Sequence, residues 1–159
     1  MLSLEEFDAV ARGNMDGIFR LALNYMGSYA EAEDVTQNVL IRLYRYRGDF
    51  ENTEHLRRWL IRVTVNESKR ALISPWRKAE ALDSLEHRAA GPEGEGRELI
   101  RSVMALPEKY RVPMYLHYYE GYSTEEIAEL LKLPGSTVRT RLRRGRLQLK
   151  AEFGGEENV

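Results

Sequence analysis

The sequence predicts an all-α protein of two small helical bundles joined by a flexible linker. Apolar residues recur at helical spacing through most of the 159-residue chain, without the sustained alternation typical of strands. Residues 74–96 interrupt this pattern with two prolines and three glycines among charged side chains, a composition typical of a linker. The helical region that follows contains the spacing of a helix-turn-helix. We therefore expect a first domain over residues 1–75, a linker over 76–96 and a second domain over 97–152.

Four helices are predicted in the first domain, and the first two precede residue 27. Ser3 and Glu6 have the spacing of a capping box, so a helix should begin there. A second helical run, with apolar residues three and four positions apart, covers roughly Met15 to Met26. We expect two helices in succession here.

The third and fourth helices of the first domain are longer. Ser28 and Glu31 repeat the capping-box spacing and open a helix that should continue through Arg47, with Val35, Val39 and Leu43 as its apolar spine. Thr53 is a candidate cap for the fourth helix. That helix cannot extend far past Ile73, because Pro75 disfavours a helical conformation at the residue before it.

The second domain is predicted to contain four further helices. Helical spacing resumes at Glu98 and stops at Pro107. Three more helices are expected over residues 108–119, 124–132 and 135–151. The last two are joined by the short turn Leu133-Pro134-Gly135, which permits only a sharp crossing of the kind found in a helix-turn-helix.

Composition limits the possible functions. The chain has no cysteine, which excludes disulfides and cysteine-based zinc sites. Its three histidines, at positions 55, 87 and 117, are far apart, and no metal-ligand spacing links them. The glycine-containing segment GPEGEG neither follows a strand nor opens a helix, so it does not predict a nucleotide site. We expect no enzyme activity, no cofactor and no metal. The acidic N-terminal segment is unlike a signal peptide, and no apolar run is long enough to span a membrane.

Charge is unevenly distributed although the formal net charge is only −1. Residues 136–150 contain five arginines and one lysine, with no acidic residue. On a helix at about 100° per residue, Ser136, Arg139, Thr140 and Arg143 share one stripe, opposite Val138 and Leu142. We call the first four residues the front stripe of this helix. The flanks between the stripes carry Arg141, Arg144 and Arg146.

Such a helix, with an apolar back, a hydrogen-bonding front and cationic flanks, suits the major groove of DNA. The alternative is a solvated basic face on a structural helix. The preceding helix and turn favour DNA binding, because a recognition helix is expected after such a turn. The motif alone does not separate a promoter-recognition domain from a repressor or an activator.

The second domain resembles region four of extracytoplasmic-function sigma factors of the sigma-70 family almost throughout. The matched motifs are Leu106-Pro107 with Arg111, Tyr119-Glu120-Gly121, Glu126-Ile127-Ala128 and Thr137-Val138-Arg139-Thr140-Arg141-Leu142. The resemblance implies that this domain reads the upstream promoter element. The residues expected to contact that element are Ser136, Thr137, Arg139, Thr140, Arg141, Arg143, Arg144 and Arg146.

The first domain is similar to region two of the same family, in two segments. The segment AEAEDVTQNVLIRLYRYRGDF looks like the helix that binds core RNA polymerase, and HLRRWLIRVTVNESKRAL looks like the part that melts the downstream promoter element. The resemblance implies a polymerase-binding face made of Asp34, Gln37, Asn38, Ile41 and Arg42. It implies a downstream DNA surface made of Arg58, Arg62, Asn66, Lys69 and Arg70. By bare geometry alone, both faces could be merely solvated.

The resemblance therefore implies a cytoplasmic alternative sigma factor that binds core RNA polymerase and promoter DNA and is held inactive by an anti-sigma factor. Arg70, Ser136 and Gly145 depart from the family pattern, in which an acid or amide, a glycine and an alanine are more usual. The main alternative is a stand-alone helix-turn-helix repressor or activator. A third is an interaction module that has lost DNA binding.

Overall fold

A computed structural model describes residues 1–75 and 97–152 of the chain. The expected linker, residues 76–96, lies outside the described residues, as does the weak helical turn expected near residues 79–85. The described residues form helices and turns without a strand, and the all-α prediction is confirmed. The chain divides into two compact units, one containing residues 1–75 and the other residues 97–152. We describe each unit by itself.

The first unit consists of three helices that pack against one another in every pairing: α1 (Leu4–Met26), α2 (Tyr29–Arg45) and α3 (Thr53–Leu72). Their N-termini are capped by side chains. At α1, Ser3 and Glu6 form the reciprocal capping box that their spacing predicts. At α2, the Ser28 hydroxyl accepts the Glu31 amide proton. At α3 the cap is Asn52, one residue before the predicted Thr53, and its side chain accepts the amide proton of His55.

The predicted break before Met15 is wrong, since α1 is one continuous helix of 23 residues. Gly13 lies in the middle of that helix and is exposed, so its lower helix propensity costs only about 1 kcal/mol. Asn14 donates a side-chain hydrogen bond to the Val10 carbonyl, one turn back. Burial continues on one stripe across this region, from Ala11 to Ile18, and packing therefore maintains the helix.

The core of the first unit lies where the three helices meet. The predicted spine of α2 is confirmed, because Val35, Val39 and Leu43 are all buried. The α2 helix ends at Arg45, two residues before the predicted end. The α3 helix ends at Leu72, within the limit that Pro75 sets.

The buried face of α3 is partly polar. Leu56, Trp59 and Val63 are only partly buried, whereas the polar residues Thr64 and Ser68 are fully buried. The Thr64 hydroxyl donates to the Leu60 carbonyl at 2.7 Å, which satisfies its hydrogen bond within the helix. These short polar side chains allow α3 to pack closely against its neighbours. The other buried residues of α3 are Leu60, Ile61, Val65 and Glu67.

The second unit contains α4 (Arg97–Ala105), α5 (Glu108–Met114), α6 (Thr124–Leu131) and α7 (Gly135–Glu152). A π-helical turn, Tyr115–Tyr119, directly continues α5. The segment predicted as one helix over residues 108–119 is therefore an α-helix followed by a π-helical turn. The predicted positions of the other three helices agree with the structure to within two residues at each end.

Arg111 is buried and joins the end of α4 to α5 through hydrogen bonds. One guanidinium nitrogen, Nη1, donates to the carbonyls of Met104 and Leu106, at 2.9 and 2.8 Å. These carbonyls lie at the end of α4, where the helix leaves its acceptors without internal partners. Arg111, which matches the family motif with Leu106-Pro107, thus acts as a structural cap inside this unit.

Candidate nucleic-acid interface and the α2–α3 groove

The helix-turn-helix is formed by α6, a short turn and α7. Ser123 and Glu126 make a reciprocal capping box at the start of α6. At its end, Lys132 adopts a left-handed conformation with φ of 56°, which turns the chain sharply toward α7. Ile127, Leu130 and Leu131 are buried, and Ala128 is partly buried.

The predicted division of α7 into a buried back and an exposed front is confirmed. Val138 and Leu142 are 0 % and 2 % exposed, and they fix the back of the helix against the rest of the unit. On the front stripe, Ser136, Arg139 and Arg143 are exposed and Thr140 is partly buried. The front stripe therefore faces away from the protein, as a surface that reads base edges must.

Arg139 is the first arginine of the front stripe and lies close to two neighbours. Its Nη1 is 3.2 Å from the position that a Cβ atom would occupy at Gly135. Its charge also acts on Glu125 in α6. The pKa of Glu125 is lowered mainly by hydrogen bonds from its own amide and from Thr124, and Arg139 lowers it further. Arg139 thus projects over the start of α7.

The flanks of α7 carry the remaining residues that the sequence analysis assigned to DNA. Arg144 and Arg146 are exposed, and Arg141 and Thr137 are partly buried. Arg146 also contacts another element, since its Nη1 donates to the Tyr118 hydroxyl at 2.9 Å. The front and both flanks are therefore present on one helix as the sequence predicts.

In the first unit, α2 and α3 border a groove of about 740 Å³. Its walls are partly apolar and its rim carries three arginines. The lining residues are Asn38, Ile41, Arg42, Arg45, Tyr46, Trp59, Val63, Glu67 and Arg70. The structure thus brings three members of the predicted polymerase-binding face into one groove with Arg70 of the predicted downstream DNA surface.

Glu67 connects those two predicted surfaces. Its side chain is 7 % exposed and pairs with the Nε of Arg42 across the helix interface. Arg70 Nη1 lies 3.7 Å from the same carboxylate oxygen, one turn along α3. Arg42 and Arg70 are 47 % and 65 % exposed, so both can still meet a partner at the rim. No local sequence pattern singles out Glu67, because its partner is 25 residues away on another helix.

The remaining predicted residues of the first unit lie outside the groove. Asp34 and Gln37 are exposed on α2, next to the groove along the same helix. On α3, Arg62, Asn66 and Lys69 are exposed. Arg58 is partly buried and forms an ion pair with Glu54 at 3.1 Å. The predicted downstream DNA surface is therefore largely solvent-facing, and Arg70 is its member that lines the groove.

An aromatic cluster lies at the end of the groove, and the sequence did not predict that its residues come together. Tyr46 lies with its ring centroid 5.1 Å from that of Phe50 and 4.8 Å from that of Trp59. Phe50 also packs against the ring of His55, at 5.4 Å. Trp59 is partly buried and lines the groove. The aromatic residues that end α2 and enter α3 were the available signal, but only the fold brings them together.

The described residues contain neither a metal-type cluster nor a membrane-spanning helix. Over residues 1–75 and 97–152, no three histidine, aspartate or glutamate side chains are grouped as a metal site would require. None of the helices in these ranges combines the length and the apolar character that crossing a bilayer needs.

Comparison with protein families matches both units. The family described as "Sigma-70 region 2" matches residues 10–81, and the family described as "Sigma-70, region 4" matches residues 96–149. The ECF RNA polymerase sigma factor SigW of Bacillus subtilis is 30 % identical over 87 % of this chain and 83 % of its own length. The ECF RNA polymerase sigma-E factor of Escherichia coli is 30 % identical over 73 % of this chain and 70 % of its own length.

Solved structures with a similar fold extend this comparison. The sigma factor RpoE of Bartonella quintana, solved in complex with the anti-sigma factor NepR, gives a TM-score of 0.76. It is 18 % identical, over 97 % of this chain and 100 % of the other. CnrH, solved in complex with the cytosolic domain of CnrY, gives a TM-score of 0.66 over 98 % of this chain and 92 % of the other, also at 18 % identity.

Proposed function

The chain belongs to the extracytoplasmic-function RNA polymerase sigma factors, and from this premise we propose that it is an alternative sigma factor that directs core RNA polymerase to a set of promoters. The observation that carries the DNA-binding part is the orientation of α7. Its apolar back is buried through Val138 and Leu142, while Arg139 and Arg143 on the front stripe face solvent.

The second unit, in this proposal, reads the upstream promoter element with α7. Front-stripe residues approach base edges in the major groove, where an arginine can make two hydrogen bonds to guanine. Arg141, Arg144 and Arg146 on the flanks neutralise phosphates, which positions the helix without reading sequence. The exposure of Arg139, Arg143, Arg144 and Arg146 supports this division of roles.

The first unit is proposed to bind polymerase through α2 and to open the downstream element through α3. Asp34 and Gln37 offer exposed polar groups to polymerase, and Asn38, Ile41 and Arg42 extend that face to the rim of the groove. Arg62, Asn66 and Lys69 provide a largely cationic surface for unpaired DNA. Unstacking one base costs a few kcal/mol, which binding of the displaced strand can offset without hydrolysis.

No catalytic step is part of this proposal, so we propose that the chain is a regulator and not an enzyme, and that it acts in the cytoplasm beside the polymerase. We also propose that an anti-sigma factor holds it inactive. The two similar solved structures support this, since RpoE was solved in complex with the anti-sigma factor NepR and CnrH was solved in complex with the cytosolic domain of CnrY.

The test is whether the chain joins core RNA polymerase and confers promoter-specific transcription. The purified chain should comigrate with core enzyme on gel filtration, and the complex should produce run-off transcripts from a subset of a promoter library. Core enzyme alone is the control. A chain that binds duplex DNA by itself but neither comigrates with core enzyme nor supports transcription is a repressor or activator, and the proposal is then wrong.

A further inference from the structure

Tyr118 lies on the π-helical turn and reaches the C-terminal half of α7. It is 57 % exposed, and its hydroxyl oxygen accepts a hydrogen bond of 2.9 Å from Nη1 of Arg146. The two residues are 28 positions apart in the sequence, so the contact exists only because the fold places the π-helical turn beside α7. The contact places the hydroxyl of a residue from a second element beside the cationic flank of α7.

Contacts of the π-helical turn fix the position of the Tyr118 side chain. The ring of His117 packs edge-on against the Tyr118 ring, with centroids 4.8 Å apart. His117 is itself anchored, because its Nδ1 donates to the Tyr122 carbonyl at 2.8 Å. The turn is closed by a bond from the Glu120 amide to the Tyr115 carbonyl, at 3.1 Å. Tyr118 is therefore supported on both its ring and its hydroxyl.

The direction of the Arg146 bond determines what the tyrosine can do. A guanidinium only donates, so the Tyr118 oxygen is the acceptor and its own proton remains available to another acceptor. The positive charge of Arg146 polarises the hydroxyl and makes it a stronger donor. Arg146 retains further N–H groups, because a guanidinium has five. The Tyr118 hydroxyl and the Arg146 guanidinium are both exposed, and their nearest atoms are 2.9 Å apart. This separation allows both groups to donate hydrogen bonds to oxygens of the same phosphate.

We propose that Tyr118 and Arg146 together form a phosphate-binding site that grips the DNA backbone beside the front stripe of α7. This inference rests on the proposed function and deepens it, since it assigns a DNA contact outside the recognition helix. Arg146 supplies the charge and one set of donors, and Tyr118 supplies a second, uncharged donor to the same phosphate. The pair positions α7 on the duplex and carries no sequence information.

The test compares Tyr118→Phe with Tyr119→Phe in the full chain bound to core polymerase. Tyr119 is the matched control, because it lies on the same turn, is 63 % exposed and stacks its ring on Tyr115. Dissociation constants are measured at several salt concentrations on a preferred promoter duplex and on one with a scrambled upstream element. Tyr118→Phe should weaken both duplexes about fivefold, as expected for one lost hydrogen bond, and Tyr119→Phe should weaken neither.

Salt dependence separates a direct phosphate contact from a purely supporting role. Tyr118 is uncharged, so Tyr118→Phe should leave the slope of log K against log salt unchanged, whereas Arg146→Ala should reduce it by about 0.9. In the Arg146→Ala background, Tyr118→Phe should cost less than about twofold, because its phosphate is no longer held. Helicity must be equal in all variants.

Four results would overturn the proposal: no loss of affinity in Tyr118→Phe, a loss confined to the preferred duplex, an equal loss in Tyr119→Phe, or a slope that falls as in Arg146→Ala. The last would mean that Tyr118 only holds Arg146 in place. If the wild-type complex binds no promoter duplex, the proposed function itself fails, and this outcome is visible before any variant is compared.

Discussion

The carboxylate of Glu67, a buried acid of α3, is paired with the guanidinium of Arg42, a half-exposed base of α2. Arg42 was assigned to the polymerase-binding face, and the pairing gives it a second role in holding the two helices together. A buried carboxylate is stable only with its partners in place, because desolvation of the charge must be offset by pairing.

Arg42→Ala should therefore destabilise the first unit. We expect a loss of about 2 kcal/mol in the free energy of unfolding, below the 3–5 kcal/mol of a wholly buried pair. The loss is smaller because Arg70 remains 3.7 Å from the same carboxylate oxygen. Urea unfolding followed by circular dichroism measures it. Arg12→Ala is the control, because it breaks the exposed pair with Asp8 and should have almost no effect. Equal stability of the two variants would contradict the structural role of Arg42.

Asp34 and Gln37 give a cleaner test of polymerase binding, because both are exposed on α2 and lie outside the groove. The double variant Asp34→Ala with Gln37→Ala should bind core polymerase about tenfold more weakly, or about 1.4 kcal/mol, with unchanged helicity and melting temperature. Competition with labelled wild-type chain for core enzyme measures this. Glu33→Ala, an exposed neighbour on α2, should compete as the wild type does. A double variant that competes equally well removes these residues from the interface.

Arg139 and Arg144 should differ in what they contribute to DNA binding. Arg139 is on the front stripe and Arg144 on a flank, and both are exposed. Arg139→Ala should cost about 1–3 kcal/mol at the preferred site and reduce the preference at one or two base pairs. Arg144→Ala should weaken all sequences about equally and reduce the salt slope by about 0.9. Binding isotherms on the best site and on point-substituted sites distinguish the two. A uniform loss in Arg139→Ala would mean that another face of α7 enters the groove.

Gly145 on α7 allows α5 to approach closely. A Cβ atom there would overlap the Met114 sulfur and lie 3.3 Å from the Tyr110 Cβ. Gly145→Ala should therefore lose about 1 kcal/mol of stability, because crowding of about 1–3 kcal/mol outweighs a gain of about 1 kcal/mol in helix propensity. Gly13→Ala, with open space around the site, should instead stabilise α1 by about 0.5–1 kcal/mol.

A combined variant checks the cause of that loss. In a Met114→Ala background the overlap with the Met114 sulfur is removed and the 3.3 Å approach to the Tyr110 Cβ remains, so Gly145→Ala should become stabilising. The coupling is read from thermal unfolding of the four chains of the cycle. A Gly145→Ala effect that is the same with and without Met114 would show that this contact does not set the packing.

Local signals in the sequence were sufficient for most of the fold. Capping spacings such as that of Ser3 with Glu6 act within one turn, so they can be read without knowing the partner helix. The division of α7 also depends only on helical periodicity, which is why Val138 and Leu142 were correctly placed at its back. The DNA and polymerase roles of individual residues remain predictions.

Features that depend on contact between distant segments were not predictable. The pairing of Glu67 with Arg42 requires a particular register between α2 and α3, which neither helix encodes alone. Fully buried Thr64 and Ser68 contradict the ordinary preference of polar side chains for the surface, and only close helix packing explains them. The π-helical turn at Tyr115–Tyr119 has apolar and aromatic residues that suit an α-helix equally well.

The arrangement of α7 has a consequence for how such proteins diversify. The residues that fix the helix, Val138 and Leu142, are separate from the exposed residues Arg139 and Arg143 that face the DNA in our proposal. Surface substitutions away from packed features usually change stability by no more than about 0.5 kcal/mol. A duplicated copy of the gene can therefore acquire a new promoter preference through a few front-stripe changes, at nearly constant stability and with its α2 surface intact.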